Sequence, residues 1–315
     1  MPEVILATQT LEAIDAAIYR DQGRMFRHHL REHILDVDDA YNDEEHDRFR
    51  THLGISMSGR ECARELWYQF RWATETVLSG KTLRLFNRGH LEEARFVAML
   101  RTIGCELWRE EAPGKQFRVS LYGGHYGSAI DGVVLGIPEM PTVPLLAEFK
   151  THNDKSFKKL AGEKDSSGQI LVPAAGVRKA KVEHYAQMQQ YIGYYKLEAG
   201  LYGAVNKDTD ELYFEIVPYD RPTDEGYRER SHRIMWANEA PTRISPNPTF
   251  WKCRFCDQRR VCHYDATPAF NCRTCAASRP LDDGTWWCNT HQATLDKKRQ
   301  LSGCPDWQQH QSFGS

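Results

Sequence analysis

In the stretch PLLAEFKTHND, residues 144–154, Glu148 and Lys150 stand two apart within an apolar run of Leu145, Leu146, Ala147 and Phe149. Strand side chains alternate faces with a period of two, so this carboxylate and ammonium point the same way. A charge inside a fold is costly unless it is paired or metal-bound, so the pair asks for a partner. Asp131 lies in the preceding apolar stretch SAIDGVVLG, and a simple antiparallel pairing brings Asp131, Glu148 and Lys150 together. Two carboxylates on one pocket make a hard oxygen site of the kind Mg²⁺ or Mn²⁺ prefers. A lysine beside them can orient or deprotonate a water and offset charge on a phosphate, which phosphodiester hydrolysis requires. The bland reading of the same triad is a structural ion pair near a sheet end.

The cysteines form a second set. Seven of the nine lie between Cys253 and Cys304, with Cys62 and Cys105 upstream, and such clusters in a reducing cytosol are metal sites before they are disulfides. In WKCRFCDQRRVCH, Cys253, Cys256 and Cys262 have C-x2-C-x5-C spacing. A zinc site completed by His263 is one reading, with Cys62 left as a buried thiol. Further on, Cys272, Cys275, Cys288 and Cys304 suit a tetrahedral structural zinc, with His291 able to replace Cys288 or Cys304. Trp286 and Trp287, with Arg273 and Arg279 nearby, either stack on single-stranded bases or cover the small core of that module. Lys155, Lys158, Lys159, Lys164, Arg178, Lys179 and Lys181 form a basic stretch after the Glu148 strand. It reads as a phosphate-binding patch or as a solvated loop.

The elements that must position these residues follow from periodicity. Apolar positions at helical spacing run from about residue 8 to 35 (Leu11, Ile14, Ile18, Met25, Leu30, Ile34), before the acidic DVDDAYNDEEHD. Helical patterning returns over about 59–78 and 84–103. CELWREE, QFRVSLY, SAIDGVVLG and VPLLAEFKT then read as four strands. Residues 178–198 are the longest helix candidate, and LYGAVNKDTDELYFEIVPY reads as a hairpin turning at Lys207 to Asp210. A proline-rich linker, NEAPTRISPNPTFW, leads to the cysteines. The expected division is 1–50 as an N-terminal helical attachment, 51–238 as the core and 239–315 as a metal-binding tail.

Composition sets the bounds. The 315 residues are 41% apolar, enough for a sizeable core, and the formal net charge of -2 gives no global pull toward nucleic acid. No apolar run approaches the about 18 residues that span a membrane, and the N-terminal residues lack a signal-peptide pattern. The expectation is a soluble, cytoplasmic protein with no membrane partner.

Asp131 followed by a hairpin and by Glu148-Phe149-Lys150 resembles the signature of the PD-(D/E)XK nuclease superfamily, and in particular its RecB-like branch. RGHLEEARF resembles the helical histidine motif of that branch, which implies His90 as a metal ligand or metal-shell residue. In EHYAQMQQYIGYY, Gln187 and Tyr191 resemble its DNA-contacting QxxxY motif; Gln190 and Tyr194 repeat the spacing, and His184 shares the face of Gln187 and Tyr191. Ile130 stands where the family has a proline. Cys62 ahead of the core and Cys253, Cys256 and Cys262 after it resemble the split cysteines of the iron-sulfur nucleases of this branch, the AddB-type and CRISPR-associated exonucleases. That resemblance implies a [4Fe-4S] cluster stapling the tail to the helix before the core, although Cys62-Ala63-Arg64 replaces the usual Cys-Pro-Arg. HLGISMSGRECARELWYQFRW and the tail are similar to exonucleases carried by phages.

The resemblance implies an α/β, restriction-endonuclease-like core, a mixed sheet flanked by helices. It also implies Mg²⁺- or Mn²⁺-dependent hydrolysis of DNA, from a strand end, in recombination or DNA processing. Asp131 and Glu148 would hold metal with help from His90, and Lys150 would position water. A catalytically inactive nucleic-acid-binding module and an iron-sulfur regulatory protein are the alternatives.

Overall fold

The structure, a computed structural model, describes residues 4–33, 49–75, 79–112, 115–165 and 167–313. It is a mixed α/β protein whose central sheet is flanked by helices. Two compact units divide the chain: Met1–Glu45, Leu78–Val119 and Ala129–Asp224 form one, and His46–Val77, Ser120–Ser128 and Glu225–Ser315 the other. No helix among the described residues is long and apolar enough to cross a membrane.

The first unit holds the central sheet, in the order Ile5–Leu6, Leu212–Pro218, Ala199–Asn206, Leu145–His152, Gly132–Leu135, Glu106–Trp108. Leu145–His152 runs parallel to Ala199–Asn206, and the other pairings are antiparallel. The alternation seen in the sequence has a physical basis here. Leu145, Ala147 and Phe149 join Leu201, Phe214 and Ile216 in the apolar core, together with Phe96, Val97 and Leu100 of the long helix Gly80–Thr102. Phe96 stacks on Phe149 with centroids 4.8 Å apart. Truncating Phe149 would cost about 3–5 kcal/mol. The long helix begins at Ser79, whose side chain accepts the Thr82 N–H at 3.1 Å. With Phe149 tied to that core, Glu148 and Lys150 are committed to the opposite face.

The N-terminal segment departs from the expected attachment. Ile5 and Leu6 pair with Ile216 and Glu215 at the sheet edge. In the helix Thr8–Asp21, Ile14 is fully buried, and Leu11 and Ile18 pack on the same core. An amphipathic helix reveals an apolar face but not which core receives it. Ile34 and the acidic DVDDAYNDEEHD lie largely or wholly outside the described residues. The helix expected over 178–198 is two, Gly176–Ala180 and Val182–Tyr195, broken at Lys181. The Gly/Ser-containing part of the basic stretch contains a small hairpin, Glu163–Lys164 with Ile170–Val172.

The second unit draws residues 46–77 together with the cysteine tail, which cuts across the expected boundaries at 50 and 238. Its helix Ala63–Phe70 buries Leu66, Trp67, Tyr68 and Phe70. It is shorter than the expected 59–78, and Trp72 beyond it adopts a left-handed φ of 56°. Ser278–Pro280, Trp286–Cys288 and Ala293–Leu295 form a three-stranded antiparallel sheet. The Arg273 guanidinium lies 3.8 Å from the Trp72 ring centroid and 4.7 Å from that of Trp286. Both Arg273 and Trp286 are buried. Of the two readings, Trp286 and Arg273 therefore follow the small core, while Trp287 is half-buried and Arg279 exposed.

Candidate functional site

The site in the first unit begins with a break in a strand. SAIDGVVLG does not run through as one strand: Tyr126–Ala129 and Gly132–Leu135 belong to different sheets, and Ile130 and Asp131 lie between them. Gly132 makes the break possible, with φ at 155° and the Trp108 carbonyl oxygen 2.7 Å from where a Cβ would sit. Asp131 Oδ2 accepts the Phe149 N–H at 2.7 Å. Gly132 pairs with Ala147 in register, which sets Asp131 beside Glu148 one step further along.

Glu148 is wholly buried, and neither of its carboxylate oxygens accepts a well-formed hydrogen bond among the described residues. Its close partner is the Lys150 ammonium, which also lies 4.0 Å from Asp131 Oδ2. Burial pushes the Glu148 carboxyl up to about 7 despite that ammonium. Burial alone would lower the Lys150 pKa, but the Glu148 and Asp131 carboxylates outweigh it and raise it, so the lysine stays charged. His90 is held below its usual pKa by burial, against the opposing pull of Asp131. A neutral imidazole is the form that can ligate a metal.

The structure adds a residue that the sequence reading passed over. Glu93, one helical turn beyond His90, is pushed up to about 8 by burial and then by the Asp131 carboxylate, with Glu148 contributing. Arg109 reaches it at 3.6 Å. Its spacing of three from His90 was visible in RGHLEEARF, but Glu92 beside it has the same chemistry. Glu92 instead binds Arg95, which also holds Asp210. Glu93, Asp131 and Glu148 are thus within electrostatic reach of one another, and His90 is within reach of Asp131. The hard oxygens of these three carboxylates, with Glu148 wholly buried, are of the kind that suits Mg²⁺ or Mn²⁺.

On the neighbouring strand Tyr202 pairs in register with Glu148. Its hydroxyl meets His152 Nε2 at 3.0 Å and His184 Nδ1 at 2.8 Å. Burial first, then nearby lysine ammoniums, lower both histidines, His152 to about 3, so both are neutral. Gln187 Nε2 donates to Tyr191 Oη at 3.1 Å, and both residues are buried. The structure therefore brings this pair together but does not present it to solvent. Gln190, of the alternative register, donates to the Ala186 carbonyl of its own helix.

The basic stretch divides in the same way. Lys158 is paired with Asp154 at 2.8 Å and Arg178 with Asp220 at 3.3 Å. Lys181 donates to the Ser156 hydroxyl. Lys155, Lys159 and Lys179 are exposed, and no carboxylate pairs with them among the described residues. Lys155 and Lys159 lie on the helix Asp154–Ala161, directly after the Glu148 strand.

In the second unit the charges of Cys62 and Cys262 raise both Cys253 and Cys256, so the thiols of the split set are within electrostatic reach of one another. Burial, followed by the Glu65 carboxylate, pushes Cys256 up to about 12. Metal binding here must displace protons. Burial leads the lowering of the His263 pKa, followed by Arg243, Arg259 and Arg64. The second set also converges: Cys272, Cys275, Cys288, Cys304 and His291 line a cavity of about 10 Å³, the volume of a single ion or water. Burial and the neighbouring thiols push Cys272 up to about 11. Ligand atoms of His291, Cys304 and Asp306 lie within 4.8 Å of one another. Cys105 belongs to neither set and is buried in the apolar core.

No family model matches the chain, and no curated protein is similar enough to match. Among solved structures, the chain is similar to that of SSO0001 at 15% identity and a TM-score of 0.36, over 78% of this chain and 99% of that one. It is also similar to an alkaline exonuclease, LHK-Exo, from Laribacter hongkongensis, at 14% identity and a TM-score of 0.36, over 58% of this chain and 86% of that one.

The raised carboxyls give a signed pH expectation. Glu148 and Glu93 hold protons up to about 7 and about 8. A cation that takes their place releases those protons, so its affinity should rise with pH through this window and level off above it. The increase in melting temperature on adding Mg²⁺ should therefore grow between about pH 6.5 and pH 8.5. A Mg²⁺-induced shift that is the same at both pH values would remove these two groups from the metal site.

Proposed function

We propose that this chain is a divalent-metal-dependent DNA nuclease with a restriction-endonuclease-like core, acting as an exonuclease in recombination or DNA processing in the cytoplasm of a bacterial or phage-infected cell. The observation that carries the reading is Glu148: a fully buried carboxylate in contact with the charged Lys150 ammonium, with the Asp131 and Glu93 carboxylates close enough to act on it. Three carboxylates around one ammonium destabilise a fold unless protons or a further cation offset the excess negative charge.

Asp131, Glu148 and Glu93 would hold the Mg²⁺ or Mn²⁺, with His90 beside them. When bound, the cation supplies Lewis-acid polarisation of the phosphodiester and lowers the pKa of water. Lys150 places a fixed positive charge and hydrogen-bond donors beside the position of the attacking water and the developing phosphorane charge. Arg109 steadies Glu93. Tyr202, His152 and His184 keep a neutral hydrogen-bonded layer next to Lys150, so no second cation competes with it. Gln187 and Tyr191, hydrogen-bonded to each other on the helix that also carries His184, would stiffen that helix. Lys155, Lys159 and Lys179 would take backbone phosphates.

Cys62, Cys253, Cys256 and Cys262 supply the four thiolates that a [4Fe-4S] cluster needs, and Cys272, Cys275, Cys288 and Cys304 those of a structural Zn²⁺.

The test is incubation with end-labelled linear DNA and closed circular DNA in Mg²⁺, Mn²⁺ or chelator. Loss of label from linear DNA alone, abolished by chelator, is the expected result. Binding without turnover in either cation would identify a catalytically inactive binding module instead. Within the active form, Glu93→Gln should raise the Mg²⁺ concentration needed for half-maximal cleavage by about 10–100-fold. Glu92→Gln should leave it near wild type. Equal effects of the two would mean that Glu93 is not at the metal.

A further inference from the structure

Of the exposed aromatic side chains of the second unit, Phe270 lies against Trp307 at 5.3 Å, and the other three cluster in sequence around the first cysteine set. Trp251 is 63% exposed, Phe255 80% and Tyr264 53%. They fall within fourteen residues around the first cysteine set, on and beside the short helices Trp251–Arg254 and Arg259–His263. Each ring carries a cation: Lys252 over Trp251 at 5.0 Å, Arg254 over Phe255 at 5.9 Å and Arg259 over Tyr264 at 5.3 Å. At an exposed site such contacts are weak and do not explain why rings this large are left in water.

Charge narrows the choice of occupant. Lys252 is paired with Glu61, but among the described residues no carboxylate pairs with Arg254, Arg259 or Arg260. An apolar protein partner would have to desolvate these guanidiniums, and an anionic membrane surface would pair with them but offers the rings no flat face to stack on. A polyanion would pair with them. Rings set among arginines that pair with no carboxylate among the described residues, Arg259 donating to the Tyr264 hydroxyl at 2.9 Å, match a polymer that alternates flat bases with phosphates, and only unpaired bases expose a face to stack. Buried Trp286 provides the contrast, since its cation, Arg273, sits inside the unit.

We propose that Trp251, Phe255 and Tyr264 form a stacking platform for single-stranded DNA, with Arg254, Arg259 and Arg260 taking its phosphates. This deepens the nuclease reading and rests on it for the choice of DNA as the polymer. The platform does not depend on Asp131, Glu148 or Lys150.

The test uses the full chain with its metals, in buffer without added divalent cation, and follows anisotropy of a labelled oligothymidylate of about twenty nucleotides and of a blunt duplex of the same length. Trp251→Ala and Phe255→Leu should each weaken oligothymidylate binding roughly tenfold, and the double variant roughly a hundredfold. Phe255→Tyr should retain affinity. Duplex affinity should change less than about twofold. Phe255→Leu keeps the bulk and removes only the aromatic face, and iron and zinc content measured on each variant shows that the cysteine sites survive. Unchanged oligothymidylate affinity in a metal-replete double variant overturns the platform, and so does an equal loss on duplex. Oligothymidylate binding by a wild-type protein that cleaves nothing would overturn the nuclease reading and leave the platform standing. Cleavage that persists in the double variant with unaltered oligothymidylate binding would do the reverse.

Discussion

Replacing Lys150 by alanine should lower Mg²⁺-dependent cleavage of end-labelled DNA by at least about 10²–10³-fold while leaving the circular dichroism spectrum and duplex affinity near wild type. The magnitude is that of removing one preorganised donor from a developing charge. The fold survives because Lys150 is not part of the apolar core: its neighbours are the Glu148 and Asp131 carboxylates. Without the ammonium, Glu148 loses the one charge that opposes the effect of burial, and its pKa rises further above about 7. The protonated acid is the tolerable buried form, so the variant pays with activity and metal affinity more than with stability. Two consequences separate this role from a structural ion pair. Saturating Mg²⁺ and higher pH should restore metal binding but not the rate. Lys150→Arg, which keeps charge but spreads it over a planar fork, should not rescue cleavage. Wild-type cleavage by Lys150→Ala would leave the pair a structural one and sink the proposed mechanism.

The part of this site that could be read in advance is the part governed by strand geometry. Glu148 and Lys150 share a face because alternate strand residues must, and Asp131 joins them because the antiparallel register continues one step past Gly132 and Ala147. Glu93 was hidden for a different reason. RGHLEEARF offers two adjacent glutamates, and only the packing of the long helix decides that Glu93 meets Arg109 while Glu92 meets Arg95. The N-terminal helices show the same limit: their apolar faces were plain, but the pairing of Ile5 with Ile216 is non-local. Among the aromatics, Trp286 and Trp251 look alike in sequence, each standing two residues ahead of a cysteine. One is buried and the other 63% exposed, because the tail folds around Arg273. The QxxxY spacing placed Gln187 and Tyr191 on one helical face, but their burial depends on what that face packs against.

The largest effect on the molecule itself is expected at Cys62. If Cys62, Cys253, Cys256 and Cys262 hold a [4Fe-4S] cluster, anaerobically purified protein is brown with about four irons per chain, and Cys62→Ser is bleached. Cys62 is within electrostatic reach of Cys253 and Cys256 although it is far from them in sequence. Breaking such a link frees a long loop, which raises the entropy of the partly unfolded chain. A loss of about 3 kcal/mol would lower the melting temperature by roughly 6–12 °C. The damage should be regional. Arg64, two residues on, is buried and donates to the Pro241 and Ser312 carbonyls, and Lys252 pairs with Glu61. Protease sensitivity should therefore appear first in the segments around residues 241 and 312. Lys150→Ala should remain brown, since its site shares no residue with the cysteines. Colourless wild-type protein that carries two zincs, with a Cys62→Ser variant as stable as wild type, would instead assign Cys253, Cys256, Cys262 and His263 to a self-contained zinc site. The carboxylate site would then stand or fall on its own tests.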